Sequence, residues 1–196
     1  PFGEPTEMAL FEYAKFSGFD KDKLIQQMPR QAAIAFDSQR KMMTTIHRNS
    51  SGFVAYVKGA TENVLDNCLE AQQDTEQIYL NKSQILAKAE QLANDGYRVL
   101  ALAWRHFESM PENIDADIIE KDLTFLGLVA LTDPLRTEVP KAMADCISAG
   151  ITPVIITGDH RGTALAIAKR LHIAQGELKM LDGKELDLIS DQELVN

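Results

Sequence analysis

The spacing of apolar residues changes near residue 131, and this change constrains the possible folds more than any other feature of the chain. Up to that point short β-type segments follow one another closely, at residues 32–36, 42–47 and 53–58. The second and third segments are separated by Asn49-Ser50-Ser51-Gly52, whose residue types favour a tight turn. Three strands with such short connections predict an antiparallel meander.

Beyond residue 131, helical patterns alternate with a short apolar segment. We expect helices at residues 138–149 and 161–171, and a strand buried on both faces at residues 152–156. Alternating strands and helices are typical of a doubly wound parallel sheet. The fold class is therefore predicted as α/β, with an α+β domain at residues 1–130 and part of a doubly wound domain at residues 131–196.

The first part of the chain also carries helical signals. Pro5 suits a first helical turn and Gly18 a helix end, and Met8, Phe11 and Phe16 between them are expected to face a core. Two more helices are predicted at about residues 61–69 and 83–95, and two more strands at residues 99–104 and 125–131.

Composition and charge exclude several classes of function. The net charge of −9 argues against binding DNA or RNA through the overall field. The two cysteines, Cys68 and Cys146, have no partner at a zinc-ligand spacing, so neither a disulfide framework nor a metal cluster is expected, and a reducing compartment fits. The longest apolar stretches fall short of the ~20 residues of a membrane helix. Because the chain begins at Pro1 with no signal peptide after it, it is interpreted as a piece of a longer protein.

Two loops of the second part contain residues that could carry chemistry. Thr157, Gly158 and Asp159 follow the predicted strand, where a hydroxyl, an unobstructed amide and a carboxylate suit a phosphoryl group and magnesium. The alternative is an ordinary strand-to-helix turn capped by the aspartate. Asp133 and Arg136 stand where the two patterns meet and could fix a hinge through an ion pair. The alternative there is a plain connection.

Residues of the first part suggest a site for a flat, anionic ligand. Lys58 ends a predicted strand, and Gly59 after it leaves room for a ring, with the ammonium free to meet a phosphate. Phe36 could stack on a base, and Arg98 could pair with phosphate oxygens. Taken singly, a residue like Phe36 is more often part of a core, Lys58 is more often a solvated surface charge, and Arg98 usually makes a surface salt bridge.

The order of short motifs along the chain is more specific than any one of them. The motifs are Gly3-Glu4-Pro5-Thr6-Glu7-Met8-Ala9-Leu10, Phe36 with Arg40-Lys41-Met42-Met43-Thr44, Lys58-Gly59-Ala60-Thr61-Glu62, Gly96-Tyr97-Arg98-Val99-Leu100-Ala101, Leu131-Thr132-Asp133-Pro134-Leu135-Arg136 and Thr157-Gly158-Asp159. This succession resembles the large cytoplasmic region of P-type cation-transporting ATPases, particularly the calcium-pump branch. The resemblance covers essentially the whole chain.

The resemblance implies a nucleotide-binding domain followed by part of a phosphorylation domain with a haloacid-dehalogenase-like architecture. In such a domain Glu7, Phe36 and Lys58 would surround the adenine ring of ATP, Lys41 would line the same pocket, and Arg98 would approach the phosphates. A carboxylate at Glu7 can accept a bond from the adenine amino group and so favour ATP.

The resemblance also implies roles outside that pocket. Thr157, Gly158 and Asp159 would meet the transferred phosphoryl group, and Asp133 and Arg136 would lie at the interdomain hinge. The complete protein would use ATP and Mg²⁺, form an aspartyl-phosphate and move a cation, with calcium favoured, across the cell membrane. Its other partners would be the actuator domain, the rest of the phosphorylation domain and transmembrane helices.

The sequence departs from the family pattern in places. The Asp-Lys-Thr-Gly-Thr stretch with the phosphorylated aspartate and the later Gly-Asp-Gly-Val-Asn-Asp stretch do not occur, so this chain alone is expected to bind nucleotide without hydrolysing it. Thr61 replaces the usual proline after Lys-Gly-Ala, and Ser38 stands where calcium pumps often carry an arginine. The rival hypotheses are a soluble phosphatase of the haloacid-dehalogenase type and a non-enzymatic interaction domain.

Overall fold

The structure is a computed structural model that describes residues 5–132, 135–157, 161–173, 180, 181 and 185. These residues divide into two compact units. The first contains residues 5–92 and 97–131, and the second contains residues 93–96 and those from 132 onward. The assignment of the two parts as a nucleotide-binding and a phosphorylation domain stays a prediction.

A seven-stranded sheet forms the first unit. Its strands are β1 (Arg30–Asp37), β2 (Met42–Asn49), β3 (Gly52–Gly59), β4 (Cys68–Gln73), β5 (Glu76–Tyr79), β6 (Arg98–Phe107) and β7 (Leu123–Leu131). The spatial order is β1-β2-β3-β6-β7-β4-β5, and every neighbouring pair is antiparallel except β4 and β7. The fold is mixed α/β, as predicted, and the antiparallel sheet accepts one parallel pair.

The predicted meander is confirmed as β1, β2 and β3. In β2 and β3, Met42 lies opposite Gly59 and Asn49 opposite Gly52, without a break in register. The turn between them is closed by the Asn49 side chain, whose oxygen accepts the Ser51 N–H at 3.0 Å. A polar side chain that binds its own turn explains why this connection could be predicted from local sequence.

Seven helices accompany the sheet in the described part of the chain. They are α1 (Pro5–Phe16), α2 (Lys21–Gln27), α3 (Thr61–Asp66), α4 (Lys82–Asn94), α5 (Ala116–Ile119), α6 (Val139–Ser148) and α7 (Arg161–Arg170). The helix predicted at residues 61–69 is shorter than expected, because Cys68 enters β4 and pairs with Leu123 of β7. A hydrogen-bonding partner distant in sequence thus overrides the local helical pattern.

The expectation that α1 faces a core through its apolar side chains is wrong. The helix contains no buried residue, and Phe16 is 90% exposed. Two polar side chains of its first turn, Thr6 and Glu7, contact the sheet. Phe11 lies instead under the ammonium of Lys21, 5.3 Å from the ring centre.

The buried strand predicted at residues 152–156 is also wrong. Residues 151–157 form no strand, and Val154 and Ile156 are 77% and 95% exposed. A parallel strand needs neighbours that accept and donate its backbone hydrogen bonds, and no strand occurs in the described residues after Leu131. The described part of residues 131–196 therefore does not form the doubly wound sheet that was expected there.

The main core lies between the sheet and α3. It contains Val57 of β3, Val64 and Leu65 of α3, Cys68 of β4 and Leu123 of β7, each no more than 2% exposed. Burial raises the pKa of the Cys68 thiol to about 12, and the thiol donates to the Val64 carbonyl oxygen at 3.2 Å. The thiolate, which is the reactive form, is therefore suppressed near neutral pH.

The two free cysteines, Cys68 and Cys146, differ in burial and should therefore differ in reactivity. At pH 8 we expect a chromogenic disulfide reagent to modify Cys146, which is half-buried in α6, and to modify Cys68 only after unfolding. In the Cys146→Ser variant the rapid phase should disappear. A rapid phase that persists in this variant would contradict the burial of Cys68.

Candidate functional site

The residues predicted to contact a base include an ion pair between α1 and β3. Lys58 is the penultimate residue of β3, flanked in register by Met43 and Leu102 of the adjacent strands. Its ammonium donates to Oε1 of Glu7, which lies in the first turn of α1. The side chains are 21% and 49% exposed, so the pair is open to solvent on the Glu7 side.

Arg98 makes a second contact with α1. It begins β6, and its Nη1 donates to the Thr6 hydroxyl at 3.1 Å. Because β3 and β6 are antiparallel, the end of β3 and the beginning of β6 lie at the same edge of the sheet. The first turn of α1 is thereby connected to that edge by two polar contacts.

Phe36 lies near the end of β1 in a bulge. Ile34 pairs with Thr44 and Asp37 with Met42, so two residues of β1, Ala35 and Phe36, lie opposite Met43 alone. The Phe36 side chain is 62% exposed, which corrects the alternative of a core residue. An aromatic ring left open to solvent at a strand end is available for stacking.

The tight turn between β1 and β2 contains Lys41. Its N–H donates to the Asp37 carbonyl at 2.7 Å, and its φ of +53° lies in the left-handed region. Asp37 Oδ1 accepts the N–H groups of Gln39 and Arg40, each at 2.9 Å. The N–H of Arg40 and then that of Gln39 lower the pKa of this carboxyl below its usual value.

Gly59 packs directly against this turn. A Cβ at this position would lie 2.4 Å from the Lys41 carbonyl oxygen, and that oxygen accepts the Ala60 N–H at 3.0 Å. The glycine therefore lets the end of β3 approach the turn. On the side of Gly59 that faces the β1–β2 turn, the space expected for a ligand is therefore filled by the backbone of that turn.

Six of the predicted site residues thus gather at one edge of the sheet: Glu7, Phe36, Lys41, Lys58, Gly59 and Arg98. The strands explain this convergence, because β1 and β3 end and β2 and β6 begin at that edge. Their roles toward a ligand stay predictions.

The predicted residues of the second unit are only partly described. Thr157 is exposed at the end of the described segment 135–157, whereas Gly158, Asp159 and Asp133 lie outside the described residues. Arg136 is exposed, and its carbonyl accepts the Val139 N–H at the beginning of α6. The phosphoryl site and the hinge ion pair therefore stay predictions.

The sequence analysis missed a buried polar cluster beside the β1–β2 turn. Glu120, which is 3% exposed, accepts hydrogen bonds from Thr44 Oγ1 and Arg40 Nη1. Arg40 and Glu120 are 80 positions apart. Their sequence spacing carries no signal, and only the pairing of the strands brings them together.

The described residues offer neither a ready metal site nor a membrane span. Within them, no group of three histidine, cysteine or acidic side chains is arranged to hold a metal ion. Gly158 and Asp159, which were expected to help orient magnesium with Thr157, lie outside the described residues, so the magnesium site stays a prediction. Among the residues that the structure describes, no helix has the length and apolar character to cross a bilayer.

Comparison with known proteins identifies relatives along nearly the whole chain. Residues 1–138 match the family model described as P-type ATPase, cytoplasmic domain N. Calcium-transporting ATPase 1 of Bacillus cereus is 40% identical over 197 residues, which cover 99% of this chain and 22% of that protein. Cation-transporting ATPase pma1 of Synechocystis is 39% identical and covers 98% of this chain and 21% of that protein.

A mycobacterial relative has a similar extent. Probable cation-transporting ATPase F of Mycobacterium tuberculosis is 39% identical over 184 residues, covering 93% of this chain and 20% of that protein. The chain thus spans about a fifth of the length of the curated relatives that it matches. The matches named here give no support to the phosphatase hypothesis.

Proposed function

The chain belongs to the P-type ATPase family, and from that premise we propose that it is the ATP-binding part of a cation pump. In the whole protein, ATP hydrolysis would drive a cation across the cell membrane, and this chain would lie on the cytoplasmic side. Its partners would be ATP and the other domains of the same protein: the actuator domain, the rest of the phosphorylation domain and the transmembrane helices.

One observation carries the proposal: an exposed aromatic ring and basic side chains gather at one sheet edge. Phe36 presents a ring that is 62% exposed, and the Lys58 ammonium and the Arg98 guanidinium stand at the ends of adjacent strands. A nucleotide has a flat base and an anionic tail, so it matches a site with these two kinds of group.

Glu7 and Lys58 would divide the recognition of adenine between them. Their ion pair holds a carboxylate and an ammonium side by side, with the carboxylate half exposed. When adenine enters, Glu7 would accept a hydrogen bond from its exocyclic amino group, and Lys58 would lie along the ring. Guanine carries a carbonyl where adenine carries that amino group, and GTP is therefore expected to bind more weakly.

Further residues are proposed to contact the phosphate tail. Arg98 would contact phosphate oxygens, and Thr157, Gly158 and Asp159 would meet the γ-phosphoryl group. The nucleophile would be an aspartate in the family's Asp-Lys-Thr-Gly-Thr motif, which does not occur in this sequence. One of its carboxylate oxygens would form a bond to the γ-phosphorus while the bond between that phosphorus and ADP breaks. Water would later release phosphate from that aspartyl-phosphate. Magnesium would neutralise the phosphate charge in the complete protein.

The transported ion is proposed as a cation, with calcium first. The Bacillus cereus relative, 40% identical, is named as a calcium transporter, whereas the Synechocystis and mycobacterial relatives are named for cations in general.

Titration with ATP tests the nucleotide proposal. The 196-residue chain should bind ATP in calorimetry with and without Mg²⁺, and Phe36→Ala should weaken binding by about 5- to 150-fold, because a base stacked on an aromatic side chain contributes about 1–3 kcal/mol.

Phe16→Ala is the matched control, since Phe16 is a 90% exposed phenylalanine on α1 that makes no predicted contact with the base. This variant should bind ATP as the original chain does. Equal affinities for the Phe36→Ala chain and the original chain would contradict the proposed site, and no binding to the folded original chain would contradict the function.

A further inference from the structure

A buried carboxylate lies behind the proposed nucleotide site. Glu120 follows α5 and is 3% exposed, and both of its oxygens are engaged. Oε1 accepts the Thr44 hydroxyl at 2.6 Å, and Oε2 pairs with Nη1 of Arg40. A carboxylate is rarely buried unless its charge has a partner, and here the partner is a single arginine.

The same arginine also contacts the bulge in β1. Its Nη2 donates to the Ala35 carbonyl oxygen at 2.8 Å, immediately before Phe36. A bulge disrupts the regular ladder of backbone hydrogen bonds, so the backbone here is less constrained by its neighbouring strand. The planar guanidinium connects Glu120, through Nη1, to the carbonyl of Ala35, through Nη2, and Ala35 precedes the exposed ring.

Arg40 is also held through its backbone. Its N–H donates to Asp37 Oδ1 at 2.9 Å, and the next residue, Lys41, has the left-handed φ of the turn. Phe36 and Lys41 therefore flank a four-residue connection, residues 37–40, whose last residue, Arg40, is held both at its backbone N–H and at its guanidinium. If the guanidinium lost its carboxylate, both flanking residues would lose the same constraint.

We propose that Glu120 is a positioning residue of the nucleotide site: through Arg40 it fixes the β1 bulge and the turn, and so places Phe36 and Lys41 for the base. This inference rests on the proposed function. Glu120 itself is buried and does not contact the nucleotide. Its effect on binding passes through the guanidinium.

Glu120→Gln is the direct test, because the amide keeps the size and can still accept from Thr44 but offers Arg40 no charge. In calorimetry of the 196-residue chain, the dissociation constant for ATP should rise about tenfold, the scale of one charge-assisted hydrogen bond. Glu112→Gln, the same change at an exposed position, should leave it unchanged.

A double-mutant cycle separates positioning from mere destabilisation. If Glu120 acts by positioning the Phe36 ring, Glu120→Gln should lower ATP affinity much less in a Phe36→Ala background than in the original chain. If the substitution only lowers the fraction of folded protein, the loss should be the same in both backgrounds. Equal losses would overturn the proposal, as would unchanged affinity in Glu120→Gln alone.

Arg40→Lys is the second variant, used if Glu120→Gln does not fold. A lysine keeps a cation for Glu120 but lacks the fork that also reaches the Ala35 carbonyl. It should show the same loss of affinity and the same dependence on Phe36, and binding equal to that of the original chain would overturn the inference. If ATP binding is weakened by Phe36→Ala but unchanged in both Glu120→Gln and Arg40→Lys, the proposed function is supported and this inference is wrong. If the original chain does not bind ATP, both are wrong.

Discussion

Replacing Gly59 with alanine should lower the free energy of unfolding by about 2 kcal/mol or more and should weaken ATP binding at the same time. The added Cβ would lie 2.4 Å from the Lys41 carbonyl oxygen, 2.7 Å from Met42 Cγ and 2.9 Å from Met42 Cα. Contacts this short with backbone atoms cannot be relieved by rotating one side chain, so a strand or the turn must move.

Moving either Met42 or the Lys41 carbonyl away from Gly59 would cost free energy. Met42 is 4% exposed in the main core and lies opposite Gly59 in the strand register, and the Lys41 carbonyl already accepts the Ala60 N–H. A displacement of β3 would shift Lys58, and a displacement of the turn would shift Lys41. The same steric conflict therefore disturbs both stability and the proposed site.

Denaturant unfolding followed by ATP titration measures both effects of Gly59→Ala. Gly18→Ala is the control for a generic glycine replacement: Gly18 has a φ of +88°, but nothing lies within 4 Å of an added Cβ. That control should cost only about 1 kcal/mol of backbone strain and leave ATP affinity unchanged. Similar losses of stability in the two variants would contradict the close approach at Gly59.

The parts of the fold that follow local rules could be predicted from the sequence. The β1–β3 meander was confirmed because its alternation and its Asn49–Gly52 turn are encoded within about thirty residues. The six residues predicted for the nucleotide site stand near element ends or in a turn, where residue type and backbone conformation are closely linked, and their roles stay predictions.

The parts that depend on distant partners could not be predicted. Residues 152–156 have the composition of a buried strand, yet Thr152, Val154 and Ile156 are exposed, and the described residues after Leu131 supply no neighbouring strand. Cys68 leaves a helical pattern because β7 is beside it. Glu120 gave no signal because its partner, Arg40, is 80 positions away, and charge alone does not distinguish a buried carboxylate from a solvated one.

Replacing Lys58, the residue before Gly59, should weaken ATP binding with little change in stability. Lys58→Met keeps the aliphatic stem and removes the ammonium, so we expect ATP affinity to fall by about 2- to 30-fold, the scale of a cation–π contact with the base. The free energy of unfolding should change by less than about 1 kcal/mol, because the lost ion pair is with a half-exposed Glu7 that water can solvate.

Lys88→Met is the matched control, since Lys88 is exposed on α4 and its ammonium contacts only the neighbouring Gln91 in the described structure. It should change neither property. Calorimetry with ATP and denaturant unfolding of Lys58→Met, Gly59→Ala and Lys88→Met then separate two causes of weak binding. A chain that loses ATP through missing charge stays as stable as the original, whereas one that loses it through a steric clash does not. If Lys58→Met lost stability together with affinity, Lys58 would hold the sheet edge together, and its proposed role in contacting the base would lose its support.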